Sequence, residues 1–269
     1  PQESSQTHAA VQAPGEITGV TIFATYNIKG GVGKTATAIN LAYLASQEGM
    51  RTLVWDLDPQ GAATYYFRVK PKVKGGTVRL LKRKRELDDA IKATDYPRLD
   101  LIPADFSYRN MDLTLEHFGK SSNRLRKLIK PLRDEYDYLF IDCPPSISLV
   151  SENVFQAADI LLVPTIPTTL SLRTLYQLLQ FCDSRRYRHL SILPFFSMVD
   201  RRKILHRDMV EDPPRMHCRL LANSIPYASE VEQMGVRRAA LETYAHSSRA
   251  AEAYRALWRE LKDLIETNG

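Results

Sequence analysis

The sequence predicts a doubly wound α/β fold, a mostly parallel twisted sheet with helices on both faces. Three observations predict it. Short apolar runs recur at regular spacing along the chain. Several of these runs lack polar alternation, as strands buried on both faces of a parallel sheet do. Helical stretches fall between them, as repeated βαβ units require. The 269 residues fit one such domain, and the 44% hydrophobic and 25% charged content is that of an ordinary globular protein.

Taken in order, residues 1–19 are rich in Gln, Ser, Ala and Pro and lack a basic-then-apolar signal pattern, so they read as a flexible leader to a domain over 20–269. The chain does not begin with Met, which leaves its natural start open. Val20–Tyr26, Thr52–Trp55, Leu99–Ile102, Tyr138–Ile141, Ile160–Val163, Ile192–Phe196 and Asn223–Ile225 read as strands, being rich in Val, Ile, Leu and aromatics. Lys34–Glu48 reads as a helix stopped by Gly49, a good C-terminal signal. Further helices are expected over Arg124–Tyr136, Val150–Ala157, Leu172–Arg186, Glu230–Tyr244 and Ser248–Glu266. Arg68–Arg85 holds nine Lys or Arg and no acid, with Pro71 and Gly75-Gly76, and reads as an exposed excursion. No apolar run approaches the roughly 18 residues that span a bilayer. The three cysteines, Cys143, Cys182 and Cys218, have no metal-ligand spacing and read as small buried residues of a reducing compartment.

Three motifs carry chemistry. The first, Lys29-Gly30-Gly31-Val32-Gly33-Lys34-Thr35, follows a strand and opens a helix, with Ala36 next in line. Glycines let backbone N–H groups face an anion, and the helix N-terminus adds its partial positive charge. That is a phosphate-binding loop for ATP: Lys34 supplies a point charge to the β- and γ-phosphates and Thr35 a hydroxyl for Mg²⁺. The ordinary spacing would put a glycine at Ile28; an extra lysine, Lys29, stands beside that gap instead. The second motif, Trp55-Asp56-Leu57-Asp58-Pro59-Gln60-Gly61, ends a strand in two carboxylates at the ligand-facing edge of such a sheet. The third, Tyr138-Leu139-Phe140-Ile141-Asp142-Cys143-Pro144-Pro145, is an apolar strand ending in Asp, a Walker B pattern that turns Asp142 toward a Mg²⁺-bound water.

The loop K-G-G-x-G-K-T resembles the deviant Walker A of the ParA/MinD superfamily of P-loop NTPases, and the other two motifs are similar to that family's D-x-D-P-Q-G and D-x-P-P segments. Ala157 to Thr165 and Leu99 to Ala104 resemble further family segments, so the likeness runs over roughly residues 20 to 266. The resemblance implies an ATPase of weak intrinsic turnover in which Asp58 positions or activates the attacking water and Asp56 lies near the Mg²⁺ shell. Lys29 would reach across a two-fold interface to the partner's nucleotide, so that ATP drives homodimerisation. Pro226 opens a late segment similar to the family loop that packs on adenine.

ParA-like members bind DNA non-specifically as ATP dimers and are stimulated by a ParB-like or cargo adaptor, whereas MinD-like members bind membranes through a C-terminal amphipathic helix. The tail Ala253–Glu266 sets Tyr254, Leu257, Trp258, Leu261, Leu264 and Ile265 on one side, with mixed charges elsewhere. A membrane-surface helix usually has a mainly basic polar face, so this tail is expected to pack on the protein itself. The net charge of +6 is compatible with a polyanionic partner. Arg201, Arg202, Lys203, Arg237, Arg238 and Arg249 are the expected DNA contacts, which makes the protein cytoplasmic and nucleoid-associated. A MinD-like membrane regulator is the alternative. An iron–sulfur carrier is disfavoured, because the cysteines offer no interface pair. His206-Arg207-Asp208 matches a kinase triplet by chance, since no kinase glycine loop accompanies it.

Overall fold

The computed structural model describes residues 20–82, 87–118, 122–185 and 187–267; the expected leader lies outside them. The apolar runs form strands β1 (Thr21–Thr25), β2 (Thr52–Asp56), β3 (Lys92–Ala93), β4 (Leu99–Ile102), β5 (Tyr138–Asp142), β6 (Ile160–Thr165) and β7 (Ser191–Phe196). They make a seven-stranded sheet in the order β3-β4-β2-β5-β1-β6-β7. All pairings are parallel except that of β3 with β4. The longer helices are α1 (Lys34–Gln47), α2 (Leu149–Ala157), α3 (Thr169–Ser184), α4 (Ile204–Glu211) and α5 (Arg249–Thr267).

Alternation along each strand serves two cores, one on each face. On one face Leu53, Trp55, Leu139 and Ile141 pack with Val154 and Phe155 of α2 and Leu175 and Leu178 of α3. On the other, Phe23, Val54 and Phe140 pack with Ile39 and Leu41 of α1 and Leu257, Trp258 and Leu261 of α5. Phe23 and Phe140 stack at 4.8 Å, and Trp258 meets Tyr138 edge-on at 5.3 Å. The apolar side of the C-terminal tail is therefore spent inside the protein, as its mixed charges predict. No helix among the described residues is long and apolar enough to cross a membrane.

Four expectations need correction. Asn223–Ile225 is not a strand: the Glu260 carboxylate on α5 accepts from the N–H groups of Ala222 and Asn223 at 2.8 and 3.0 Å, which removes them from a ladder. Only a single parallel bridge, Val199 with Pro226, forms there. Glu230–Tyr244 is broken into the short helices Ser229–Glu232, Met234–Arg237 and Glu242–Ala245. Arg238 closes the second in a left-handed conformation, φ 50°, and Leu241 donates its N–H to the Asn40 side chain instead of to a helix carbonyl. Arg124–Tyr136 is α-helical only to Ile129, with a 3₁₀ stretch from Lys130 around Pro131, whose missing N–H cannot continue the ladder. Arg68–Arg85, as far as residue 82, is not a free excursion: Val73, Thr77, Leu80 and Leu81 are buried.

Candidate functional site

The phosphate-loop residues lie between β1 and α1, and both carboxylate motifs end on strands next to β1 or one strand beyond it. Register places Thr25 beside Asp142 and Asp142 beside Asp56, so one row of residues crosses the C-terminal edge of three strands. That edge is where ligands enter a sheet of this type. Gly33 caps α1 at φ 93°, a conformation that favours glycine, and a Cβ there would crowd Ser197 Oγ at 3.0 Å. Asn27 fixes the loop's entry by accepting from Lys29 N–H at 2.9 Å while donating to the Pro164 carbonyl.

The two lysines point to different places. Lys34 is buried and donates to the carbonyl of Lys29 at 2.9 Å. Burial pulls its ammonium below the usual lysine range, against the opposing charges of Asp142 and Asp58. Lys29 instead reaches outward to α3 and donates to Ser171 Oγ at 3.3 Å.

The carboxylates also differ. Asp56 Oδ2 accepts from the N–H and hydroxyl of Thr64 at 2.8 and 2.7 Å, and Oδ1 accepts from Asp58 N–H at 3.2 Å. Burial pushes its carboxyl up to about 6 despite these bonds. Asp58 is half-exposed and holds the turn by accepting from Gln60 N–H at 2.9 Å. Asp142 is fully buried; its Oδ1 meets the Thr25 hydroxyl at 3.4 Å, and its Oδ2 has no hydrogen-bond partner. Burial first, and then the charge of Asp56, raise its carboxyl well above the usual range, opposed by Thr35 and Lys34.

An unpartnered buried carboxylate oxygen costs about 1–3 kcal/mol or more. A divalent cation offsets that cost, and the hydroxyl-plus-carboxylate donor set of Thr35 and Asp142 suits Mg²⁺, which takes few protein oxygens and keeps its waters. Asp56 was expected in the same shell, yet both its oxygens are already committed to backbone and Thr64. Asp142, by contrast, keeps an oxygen with no hydrogen-bond partner.

The late segment reaches the loop from the far side. Ile225 N–H donates to Phe196 O at 2.9 Å, Val199 N–H to Ile225 O at 3.0 Å and Tyr227 N–H to Val199 O at 3.0 Å, so Pro226 is stitched to the strand end whose Ser197 Oγ would meet a Cβ on Gly33. Four site residues were not anticipated from sequence: Asn27, Thr64, Ser171 and Ser197. Of these only Asn27 carried a local signal, as an Asx turn entering the loop. The others act through space, across 8, 142 and 164 residues from the partners named above.

The six expected DNA residues do not form one free cluster. Arg201, Lys203, Arg237 and Arg249 are exposed. Arg202 is exposed but is paired with Asp200 through two contacts of 2.9 Å. Arg238 is half-buried, donates to the Tyr65 carbonyl at 2.9 Å and lies 4.4 Å over the Tyr65 ring.

Comparison with known proteins adds three findings. A family model described as an AAA domain matches residues 20–192. Among curated proteins, the sporulation initiation inhibitor protein Soj of Bacillus subtilis is 30% identical over 246 residues, covering 89% of this chain and 97% of Soj. The chromosome partitioning protein ParA of Myxococcus xanthus is 38% identical over 158 residues, 58% of this chain. The match spans just over half of the length of several curated relatives, the Myxococcus protein among them at 56%. Among solved structures, cobyrinic acid a,c-diamide synthase of Mycobacterium smegmatis, with bound ATP analogue and magnesium, superposes with a TM-score of 0.74 at 27% identity, over 89% of this chain and 93% of that one.

Proposed function

The chain belongs to the ParA/MinD family of partition ATPases, and from that premise we propose that it is a Mg²⁺-dependent ATPase that dimerises on ATP, binds DNA non-specifically and positions a cargo, with an adaptor stimulating turnover. The observation that carries this reading is that the two lysines of the loop part: Lys34 is buried and folds back onto the Lys29 carbonyl, within the field of Asp142 and Asp58, while Lys29 extends away to Ser171 on α3. One lysine suffices for the chain's own nucleotide; an outward second one suits the γ-phosphate of a facing protomer. The ATP analogue and magnesium in the Mycobacterium smegmatis relative support the cofactors.

In this reading the residues act as follows. Backbone N–H groups from Gly30 to Thr35, followed by Ala36, cradle the phosphates, and Lys34 neutralises them. Thr35 and Asp142 hold Mg²⁺, whose charge stabilises the phosphates when bound. Asp56 braces the turn through Thr64, which leaves Asp58 free to orient the attacking water at the partly exposed mouth. Lys29 closes the partner's site, where a desolvated ammonium discriminates ATP from ADP. Pro226 lines the base. Arg201, Lys203, Arg237 and Arg249 are the better DNA candidates, since Arg202 and Arg238 are held by the protein itself.

Sedimentation with non-specific duplex DNA under ATP, ADP and no nucleotide tests the proposal. We expect pelleting with ATP alone, reduced by Arg201→Ala/Lys203→Ala. Equal pelleting in all three states would overturn the switch while leaving the ATPase standing. The membrane alternative receives no support from the tail, whose apolar residues are buried on the sheet.

A further inference from the structure

The basic run beginning at Arg68 takes no part in the chemistry above, yet its described part is built as a platform. Asp105 accepts from Val73 N–H at 2.8 Å, and Ser107 Oγ accepts from Thr77 N–H at 2.9 Å. With Val73, Thr77 and Leu80 turned inward, Lys72, Lys74 and Val78 are presented outward. The short helix Gly76–Leu80 packs on the turn Phe106–Asn110 and the helix Met111–His117. From these elements Val78, Phe106 and Leu113 stand 57%, 67% and 66% exposed, and the Arg109 guanidinium lies 4.0 Å over the Phe106 ring.

We propose that this face is the docking surface for a protein partner that presents an acidic amphipathic segment, and that docking there accelerates ATP hydrolysis; the second half rests on the ATPase reading. Single exposed apolar residues need no explanation. Three on packed neighbouring elements, beside Lys72, Lys74 and Arg109, ask for a partner with both apolar groups and carboxylates. Duplex DNA presents chiefly phosphates at its surface and, beyond groove-floor methyl groups, little apolar area to cover Leu113 and Val78. A flat anionic lipid surface would also meet the exposed carboxylate of Glu116, one turn from Leu113; a short segment can pass beside it.

The platform is wired to the carboxylate row. Ala104 N–H donates to Thr64 Oγ1 at 2.8 Å, and that hydroxyl donates to Asp56. A Cβ on Gly61, three residues after Asp58, would lie 3.3 Å from Ala104 Cβ and 3.8 Å from Pro71 Cβ. A partner pressing on Asp105 and Phe106 therefore shifts the strand end that braces Asp56 and the turn that carries Asp58.

The test is a displayed random-peptide library selected on the wild-type chain with ATP and counter-selected on Phe106→Ala/Leu113→Ala. We expect enriched peptides that interleave Asp or Glu with Leu, Phe or Trp. A synthesised winner should bind wild type about tenfold or more tighter than it binds either that variant or Lys72→Glu/Lys74→Glu, and should raise turnover severalfold. All substituted side chains are exposed, so melting temperatures should match wild type. No enrichment, equal binding to both variants, binding without acceleration, or Phe106-dependent binding of phosphatidylglycerol vesicles in its place would overturn the proposal. Basal hydrolysis is measured first: its absence defeats the ATPase reading, whereas its presence in all three proteins with a failed peptide defeats only the docking surface.

Discussion

Lys29 and Lys34 sit five residues apart in one loop and make different bonds, Lys34 to the Lys29 carbonyl and Lys29 to Ser171. Lys29→Ala removes one long, part-buried hydrogen bond to Ser171 from a half-buried loop residue, so folding is expected to survive. ATP-induced dimerisation should weaken by about 10- to 100-fold, the worth of a hydrogen bond to a charged group; light scattering with and without ATP measures it, and unchanged dimerisation would remove Lys29 from the interface. Asp142 offers a second contrast. Its buried oxygen has no partner and its neighbour Asp56 repels it, so Asp142→Asn relieves a burden in the nucleotide-free protein. The melting temperature without Mg-ATP should hold or rise. The wild type should gain roughly 2.7 kcal/mol when ligand is at 100 times its dissociation constant, and the variant should not; a variant that still gains as much would exclude Asp142 from the metal site. The motifs made Lys29, Lys34 and Asp142 legible in the sequence, because each is held by a local strand–loop–helix geometry. Thr64, Ser171 and Ser197 were not legible, because each earns its place by a contact made through space.

At the scale of elements, α5 shows how burial decides a role that composition leaves open. The helix has a long apolar side that would suit either a membrane or a core. Trp258 settles on Phe23, Tyr138 and Phe140, and its indole N–H donates to Glu48 at 3.1 Å. Trp258→Ala should destabilise the chain by about 3–5 kcal/mol, read as a lower urea midpoint with an unchanged slope; a loss below about 1 kcal/mol would show that the helix is only loosely docked. The strands and α1 were legible because their periodicity is strong and their ends carry glycine or turn signals. Asn223–Ile225 and Glu230–Tyr244 were misjudged because Glu260, Asn40 and Tyr96 supply hydrogen bonds that compete with strand and helix ladders. The basic run after Arg68 was misjudged because its charges hide an apolar spacing of one helical face: Val73, Thr77 and Leu80 fall inward while Lys72, Lys74 and Val78 stay exposed.

At the scale of the whole molecule, the net charge of +6 and the exposed Arg201, Lys203, Arg237 and Arg249 make salt dependence the sharpest probe of partner class. If ATP doubles the contacting surface by pairing two chains, the slope of log affinity against log salt should steepen about twofold between the ADP and ATP states. Fluorescence anisotropy with a DNA duplex across a salt series measures it; parallel slopes would mean that one chain makes all the contacts. The sequence by itself determined the α/β class, the phosphate loop and the order of its three motifs. These are properties of short segments, where glycine, proline and apolar periodicity act over a few residues. Tertiary structure alone decided which buried carboxylate oxygen is left without a partner, which arginines are already engaged, that the tail packs on the sheet, and that the basic run is anchored to Asp105 and Ser107. The physical reason is that each of these depends on desolvation and on partners tens to hundreds of residues away, and neither is written in the local chain.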